Sequence, residues 1–288
     1  MTDPSEAPTR PYAEHQRSVL DQMAQAIDAA GPLHSDLPGA PEPLAAAIIA
    51  AVEQRSEALI ELSHGLHSEP ELGYQEHASV RRVARLLEEQ GHDCEVGAYG
   101  LDTALRASAG SGRPRVAVLA EYDALPGLGH ACGHNVICAT AVGAFLAVAE
   151  VLADLGGSVE LIGCPAEEGG GGKELIARAG GFDGVDAAVM LHPFGADAAV
   201  HPWLGVRTVD VTYHGRAAHA AVTPHLGRNA LDAVVTAYNG FSQLRQHILP
   251  GDRVHGIITD GGQKPNIVPA RAAASFFLRS RSIEGLTE

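Results

Sequence analysis

Three short apolar runs constrain what this chain can fold into. "RPRVAVLAEYDA" (113–124), "SVELIGCP" (158–165) and "VDAAVMLHP" (185–193) each hold an apolar stretch of strand length. Between them lie two segments of helical character, "VICATAVGAFLAVAEVLADLG" (136–156) and "GKELIARAGGF" (172–182). Strands that are apolar on successive residues need cover on both faces, and helices placed between them supply it. The expected architecture is an α/β sheet with helices on both sides.

A different pattern begins near Gly205. "GVRTVDVTYHG" (205–215) alternates like a half-buried strand, and "GRNALDAVVTAYNGFSQLRQHI" (227–248) is an amphipathic helix. "VHGIITDGG" (254–262) and "ARAAASFFLRS" (270–280) read as further strands. This is β-α-β-β, three-quarters of a small α+β sandwich, and "SIEGLTE" (282–288) could begin its fourth element. Upstream, helices are expected over 12–30, over 44–66 and over 77–91, with a loose tail at 1–11 and a proline-rich linker at 31–43. The chain therefore divides at the sequence level into 1–43, 44–203 and 204–288.

A formal net charge of −15 and a pI near 5.4 exclude the basic face that a phosphate backbone needs, and argue equally against an anionic membrane surface. Neither nucleic acid nor membrane is expected as a partner. Four cysteines, Cys94, Cys132, Cys138 and Cys164, in a chain of 288 residues are not a disulfide framework. The first twenty residues are polar, and "PLAAAIIAAV" (43–52) is too short to span a bilayer. The expected compartment is a reducing one, the cytoplasm.

The chemistry gathers at the predicted strand ends. The first strand ends just before Glu121, Tyr122 and Asp123 and leads into "GHACGHN" (129–135). The second delivers Glu167 and Glu168, and the third ends at His192. Ligands of open α/β sheets bind beyond the carboxyl ends of the strands, so thiol, imidazole and carboxylate should converge there. That donor mix suits Zn²⁺ or a similar first-row metal. In an extended segment Cys132 and His134 point the same way, with Gly133 letting the backbone bend. Of two adjacent glutamates, one can hold metal while its neighbour takes a proton from water. Cys94, Cys138 and Cys164 read as small core residues. The run "EEGGGGKE" (167–174) fails the phosphate-loop template, because position 167 is Glu rather than Gly and Glu, not Ser or Thr, follows Lys173. Lys173 and Lys264 are the only two lysines beside eighteen arginines, and each lies next to a glycine-rich loop.

Four motifs occur in order: "AEYDALPGLGHACGHN", "CPAEEGGGGKELIARAGGFDGVDAAVMLHP", "YHGRAAHAAVTPHLGRNALDAVV" and "KPNIVPA". Together they resemble the M20 metallopeptidase and amidohydrolase family, in its amidohydrolase branch, over about residues 44–288. The resemblance implies a zinc-peptidase-like α/β catalytic domain (44–203) with an inserted α+β, ferredoxin-like lid or dimerisation domain (204–288). It implies a divalent metal, two ions per site, as Zn, Mn or Co. Cys132, His134, Glu168 and His192 match its metal ligands, and Glu167 its general base. Asp123 matches the residue supporting the metal site, and His219 the lid histidine that steadies the oxyanion. Asn266 and Arg279 match the pair that holds the substrate carboxylate, for which an Arg fork is well suited. His130 matches the loop but no ligand position, and His201, His214 and His225 are ordinary loop or surface candidates.

The family pattern continues beyond the lid into further strands and a last metal-binding histidine, whereas these residues end at Glu288. An incomplete catalytic domain and weak activity of the chain as written are expected from that comparison. The expected function is metal-dependent hydrolysis of an amide in an N-acyl amino acid or dipeptide with a free carboxylate, by a homodimer joined through the lid. The rival expectation is a non-catalytic homologue acting as a dimerising or binding subunit. A third reading makes Cys132 a nucleophile with His134 as its base.

Overall fold

The computed structural model describes residues 39–195, 197–198 and 203–287, with isolated helical positions between 17 and 29. The helix expected over 12–30, the linker up to residue 38 and His201 fall largely or wholly outside the described residues. The chain forms two compact units, Met1–Asp197 and Ala198–Glu288.

The first unit is built on a five-stranded sheet. Its strands are β1 (Cys94–Val96), β2 (Leu105–Ser111), β3 (Arg115–Glu121), β4 (Gly157–Cys164) and β5 (Ala187–Val189), in the order β1-β2-β4-β3-β5. β3 pairs parallel with both β4 and β5, while β2 pairs antiparallel with β4 and with β1. The sheet is thus mixed. Strands over 94–96 and 105–111 are not expected from the sequence, because "LRASAGS" shows neither the β-branched nor the aromatic enrichment of a strand.

Alternate residues of the parallel strands enter two cores, as the period of two demands. Val118, Ala120, Val159 and Leu161 join the larger core, under α1 (Glu42–Glu53), α2 (Ser56–Ser68), α3 (His77–Glu89) and α4 (His134–Leu155). Ala117, Leu119, Ile162 and Cys164 face the other way, against Ile176 of α5 (Gly172–Arg178). Both faces are therefore covered. α4 is long and apolar enough to cross a membrane by length and composition, yet its Phe145, Leu146 and Val142 are fully buried core residues. The single helix expected over 44–66 is two, α1 and α2, broken at Gln54 and Arg55. There the Arg55 guanidinium bonds the Ala51 carbonyl, the Gln90 side chain and Glu150.

The second unit is a three-stranded antiparallel sheet, β6 (Gly205–His214), β7 (Arg253–Asp260) and β8 (Arg271–Ser280), ordered β6-β8-β7. Helix α6 (Ala230–Leu244) packs on it, with Phe241 4.5 Å and Tyr238 6.0 Å from the buried Phe276 ring. Asn229 caps α6 by accepting the Leu231 N–H at 2.9 Å. The expected fourth element is a short helix, α7 (Ile283–Thr287).

Candidate functional site

Two parallel strands, β3 and β4, end in register, and β5 ends three residues short of them. Glu121 of β3 is in register with Cys164 of β4, and β5 flanks β3 on the other side. The chain leaving each strand delivers the polar groups. His134 sits at the first turn of α4, entered through Gly133 at φ 84°, where a Cβ would come 3.0 Å from the Pro193 ring. Glu167 and Glu168 follow Ala166, held in the left-handed region at φ 52° while its N–H donates to the buried Glu76 carboxylate at 2.8 Å. Gly172 lets α5 start against the Pro165 carbonyl, since a Cβ there would lie 1.8 Å from that oxygen. At this position the glycine run makes room for close packing. His192 lies beyond β5, which is only three residues long rather than the nine expected.

His134 is the hub and is fully buried. Its Nδ1–H donates to Asp123 Oδ1 at 3.0 Å, and Asp123 Oδ2 accepts the Glu168 N–H at 2.8 Å. Burial would push the Asp123 carboxyl up, but these two bonds hold it below the usual range, so the carboxylate accepts and Nδ1 carries the proton. Nε2 faces the carboxylates of Glu121 at 3.5 Å, Glu167 at 3.7 Å and Glu168 at 3.9 Å; burial alone would lower the imidazole, but the Asp123 bond and the surrounding carboxylate charges raise it. On the other side Cys132 Sγ lies 3.6 Å from His192 Nε2, whose Nδ1 is bonded to the Pro193 carbonyl.

Among the described residues two donor groups result, Cys132, His134 and His192 in one and Glu121, His134 and Glu167 in the other, with donor atoms in each within 4.8 Å of one another. Two donors bonded at about 2.1 Å to a tetrahedral ion stand roughly 3.4 Å apart. The separations above match that spacing. His134 Nε2 and Glu121 Oε2 are both buried with no hydrogen-bond partner. A buried polar atom left unpaired costs about 1–3 kcal/mol, which a cation between them would relieve. The residues present fit a divalent metal, and the thiol, imidazole and carboxylate mix suits zinc or a neighbouring first-row ion.

Burial, reinforced by a hydrogen bond with Glu168, pushes the Cys132 thiol up to about 12. Such a thiol is a poor nucleophile near neutrality, and the imidazole in contact with it at 3.6 Å is that of His192. Both points weigh against the cysteine-hydrolase reading. A metal must displace the Cys132 proton to take the thiolate. Metal affinity should thus rise roughly tenfold per pH unit between about pH 6 and 8 for each proton so displaced. Zn²⁺ titrations at several pH values check this, and a flat profile would exclude the thiolate as ligand.

Burial first, then the neighbouring Glu121 charge, raises the Glu167 carboxyl. Glu121 itself was missed as a site residue. It is 1% exposed, and its other oxygen accepts from Lys173. The available signal was an acid closing an otherwise apolar strand, together with one of only two lysines.

In the second unit His219 and Asn266 are neighbours. The His219 segment bridges to Ile267, and the Ala220 N–H donates to the Asn266 carbonyl at 3.0 Å. Arg279 lies near the opposite end of β8 from Asn266, paired with Val206 and Arg253, its guanidinium 5.8 Å from the Phe277 ring. From the start of β8 to Arg279 the strand runs roughly 26 Å, so the structure does not bring Asn266 and Arg279 together within one unit.

Residues 204–287 match the family model described as a peptidase dimerisation domain. The chain is 41% identical over 254 residues to the mouse Xaa-Arg dipeptidase, covering 82% of this chain and 58% of that protein. It is 37% identical over 252 residues to a component chain of the Escherichia coli p-aminobenzoyl-glutamate hydrolase, covering 80% and 52%. The chain thus spans little more than half the length of these relatives. A crystal structure of a Bacillus subtilis dinuclear metal-binding peptidase of the M20 family shares the fold, with a TM-score of 0.56 at 24% identity over 83% of this chain and 67% of that one. A mixed α/β sheet followed by an antiparallel dimerisation domain, carrying these relationships, places the chain in the M20 peptidase family.

Proposed function

We propose that this chain contributes the metal-binding centre and lid of an amide hydrolase acting on an N-acyl amino acid or dipeptide with a free carboxylate. The observation that carries the reading is the convergence of donors on a buried His134 Nε2 that has no hydrogen-bond partner. Cys132, His134, Glu168 and His192 would hold two divalent ions, Zn, Mn or Co. When bound, they would polarise the amide carbonyl and acidify a water. Glu167, its carboxyl raised by burial, takes the proton from that water and passes it to the leaving nitrogen. Asp123 keeps His134 in a single tautomer. The substrate side is assigned to 204–288. His219 would serve the centre of a partner subunit, donating to the developing oxyanion, and Asn266 beside it contacts the substrate carboxylate. Arg279 grips an anionic end as a separate element.

The names of the relatives favour two substrates for trial, a dipeptide ending in arginine and an aminobenzoyl-glutamate amide. The acidic balance of the chain favours the first. The dimerisation-domain match supports a homodimer joined through 204–288. Four free cysteines suit a reducing compartment such as the cytoplasm.

The test is metal content together with turnover of both substrates before and after chelation. About two metals per chain and activity abolished by chelator are expected. A metal-free protein with no turnover would favour the binding-subunit reading instead. Arg279→Ala should raise KM with little change in kcat, which is the signature of a lost ground-state contact.

A further inference from the structure

We infer that Glu121 is a further metal ligand, on the oxygen-rich side of the centre, and that Lys173 holds its second oxygen so that only one faces the metal. The inference rests on the metal-centre reading above.

Glu121 ends β3 and is 1% exposed. One carboxylate oxygen accepts from the Lys173 ammonium, at the start of α5. The other, Oε2, has no hydrogen-bond partner although it is out of solvent. It stands 3.5 Å from His134 Nε2, which is equally buried and equally unpaired. If Glu121 served only as counter-ion to Lys173, the fold would leave one oxygen of a buried charge unsatisfied, the arrangement that makes buried ion pairs costly. A cation between them removes that penalty, and the spacing is that of two donors on one tetrahedral ion, roughly 3.4 Å.

The third member of that donor group is Glu167. A ligand at Glu121 leaves Glu167 free to work as a base, because His134 and Glu121 can then hold the ion between them. Lys173 has a matching part. It takes one oxygen of Glu121, which favours one-oxygen ligation, and it offsets one negative charge in a site with four carboxylates around one imidazole.

The test uses the full chain and Co²⁺ alone, read by elemental analysis, titration calorimetry and the visible absorption of the bound ion. Glu121→Gln keeps the shape and an acceptor for Lys173 but removes the anionic donor. At least one Co²⁺ should bind ten-fold or more weaker, with an altered Co²⁺ spectrum. Lys173→Met should do the reverse. Its Co²⁺ affinity should be equal or tighter, its metal-free melting temperature lower, and its gain on adding Co²⁺ larger than that of the unsubstituted chain. Should Glu121→Gln not fold, Glu121→Asp keeps the charge while withdrawing the oxygen, and the same weakening is expected. Unchanged stoichiometry, affinity and spectrum in the folded Glu121 variant would overturn the inference while leaving the metal centre standing. No Co²⁺ uptake by the unsubstituted chain would overturn both.

Discussion

Glu167→Gln is expected to slow amide hydrolysis by roughly 100- to 10,000-fold while leaving metal content unchanged. The two adjacent glutamates look alike in sequence, but their surroundings differ. The Glu168 N–H is tied to Asp123, and its side chain hydrogen-bonds the Cys132 thiol. Glu167 has the more exposed side chain of the two, 40% against 24%, and can reach an incoming water and substrate. Burial and Glu121 raise its carboxyl toward the range where a base both accepts and releases a proton. Gln cannot take that proton, whatever its geometry. Glu168→Gln should instead lower metal occupancy, and lose activity for that reason. Measuring kcat beside metal content on the same samples separates the two. Loss of metal from Glu167→Gln would reassign it as a ligand, which its place in the donor group with Glu121 and His134 would accommodate.

The parallel core of the sheet was legible because β3 and β4 carry apolar residues on both faces and turn residues after them. β1 and β2 were not. "LRASAGS" owes its strand conformation to seven register partners on β4, a tertiary context that propensity does not contain. The convergence of Cys132, His134, Glu167, Glu168 and His192 was legible from strand order alone, since strands ending at one edge must deliver their loops there. Glu121 and Lys173 were not, because nothing in the spacing tells that an exposed-looking strand-end acid turns inward beneath α5. Asn266 and Arg279 show the opposite limit. They are thirteen positions apart, but eight of those lie along β8 and separate the two residues.

His134→Ala should do the most damage to the centre. His134 belongs to both donor groups, so both sides should lose metal affinity together. It is also the imidazole partner of Asp123, whose side chain is 0% exposed. Removing one member of a buried pair strands the other charge, which costs about 3–5 kcal/mol, or roughly 6–20 °C in the melting temperature of a chain this size. The loss should appear in the metal-free protein as well, which separates it from loss of bound metal. Asp123→Asn should cost less, because no charge is stranded, while weakening metal binding about 10- to 100-fold through a misoriented His134. Combining the two substitutions should recover part of the stability lost in His134→Ala alone, because the neutral amide brings no charge to bury. A metal-free His134→Ala protein that melts with the unsubstituted chain would mean that Asp123 is satisfied by the backbone N–H groups of Glu167 and Glu168, and that its bond to His134 contributes nothing to the fold.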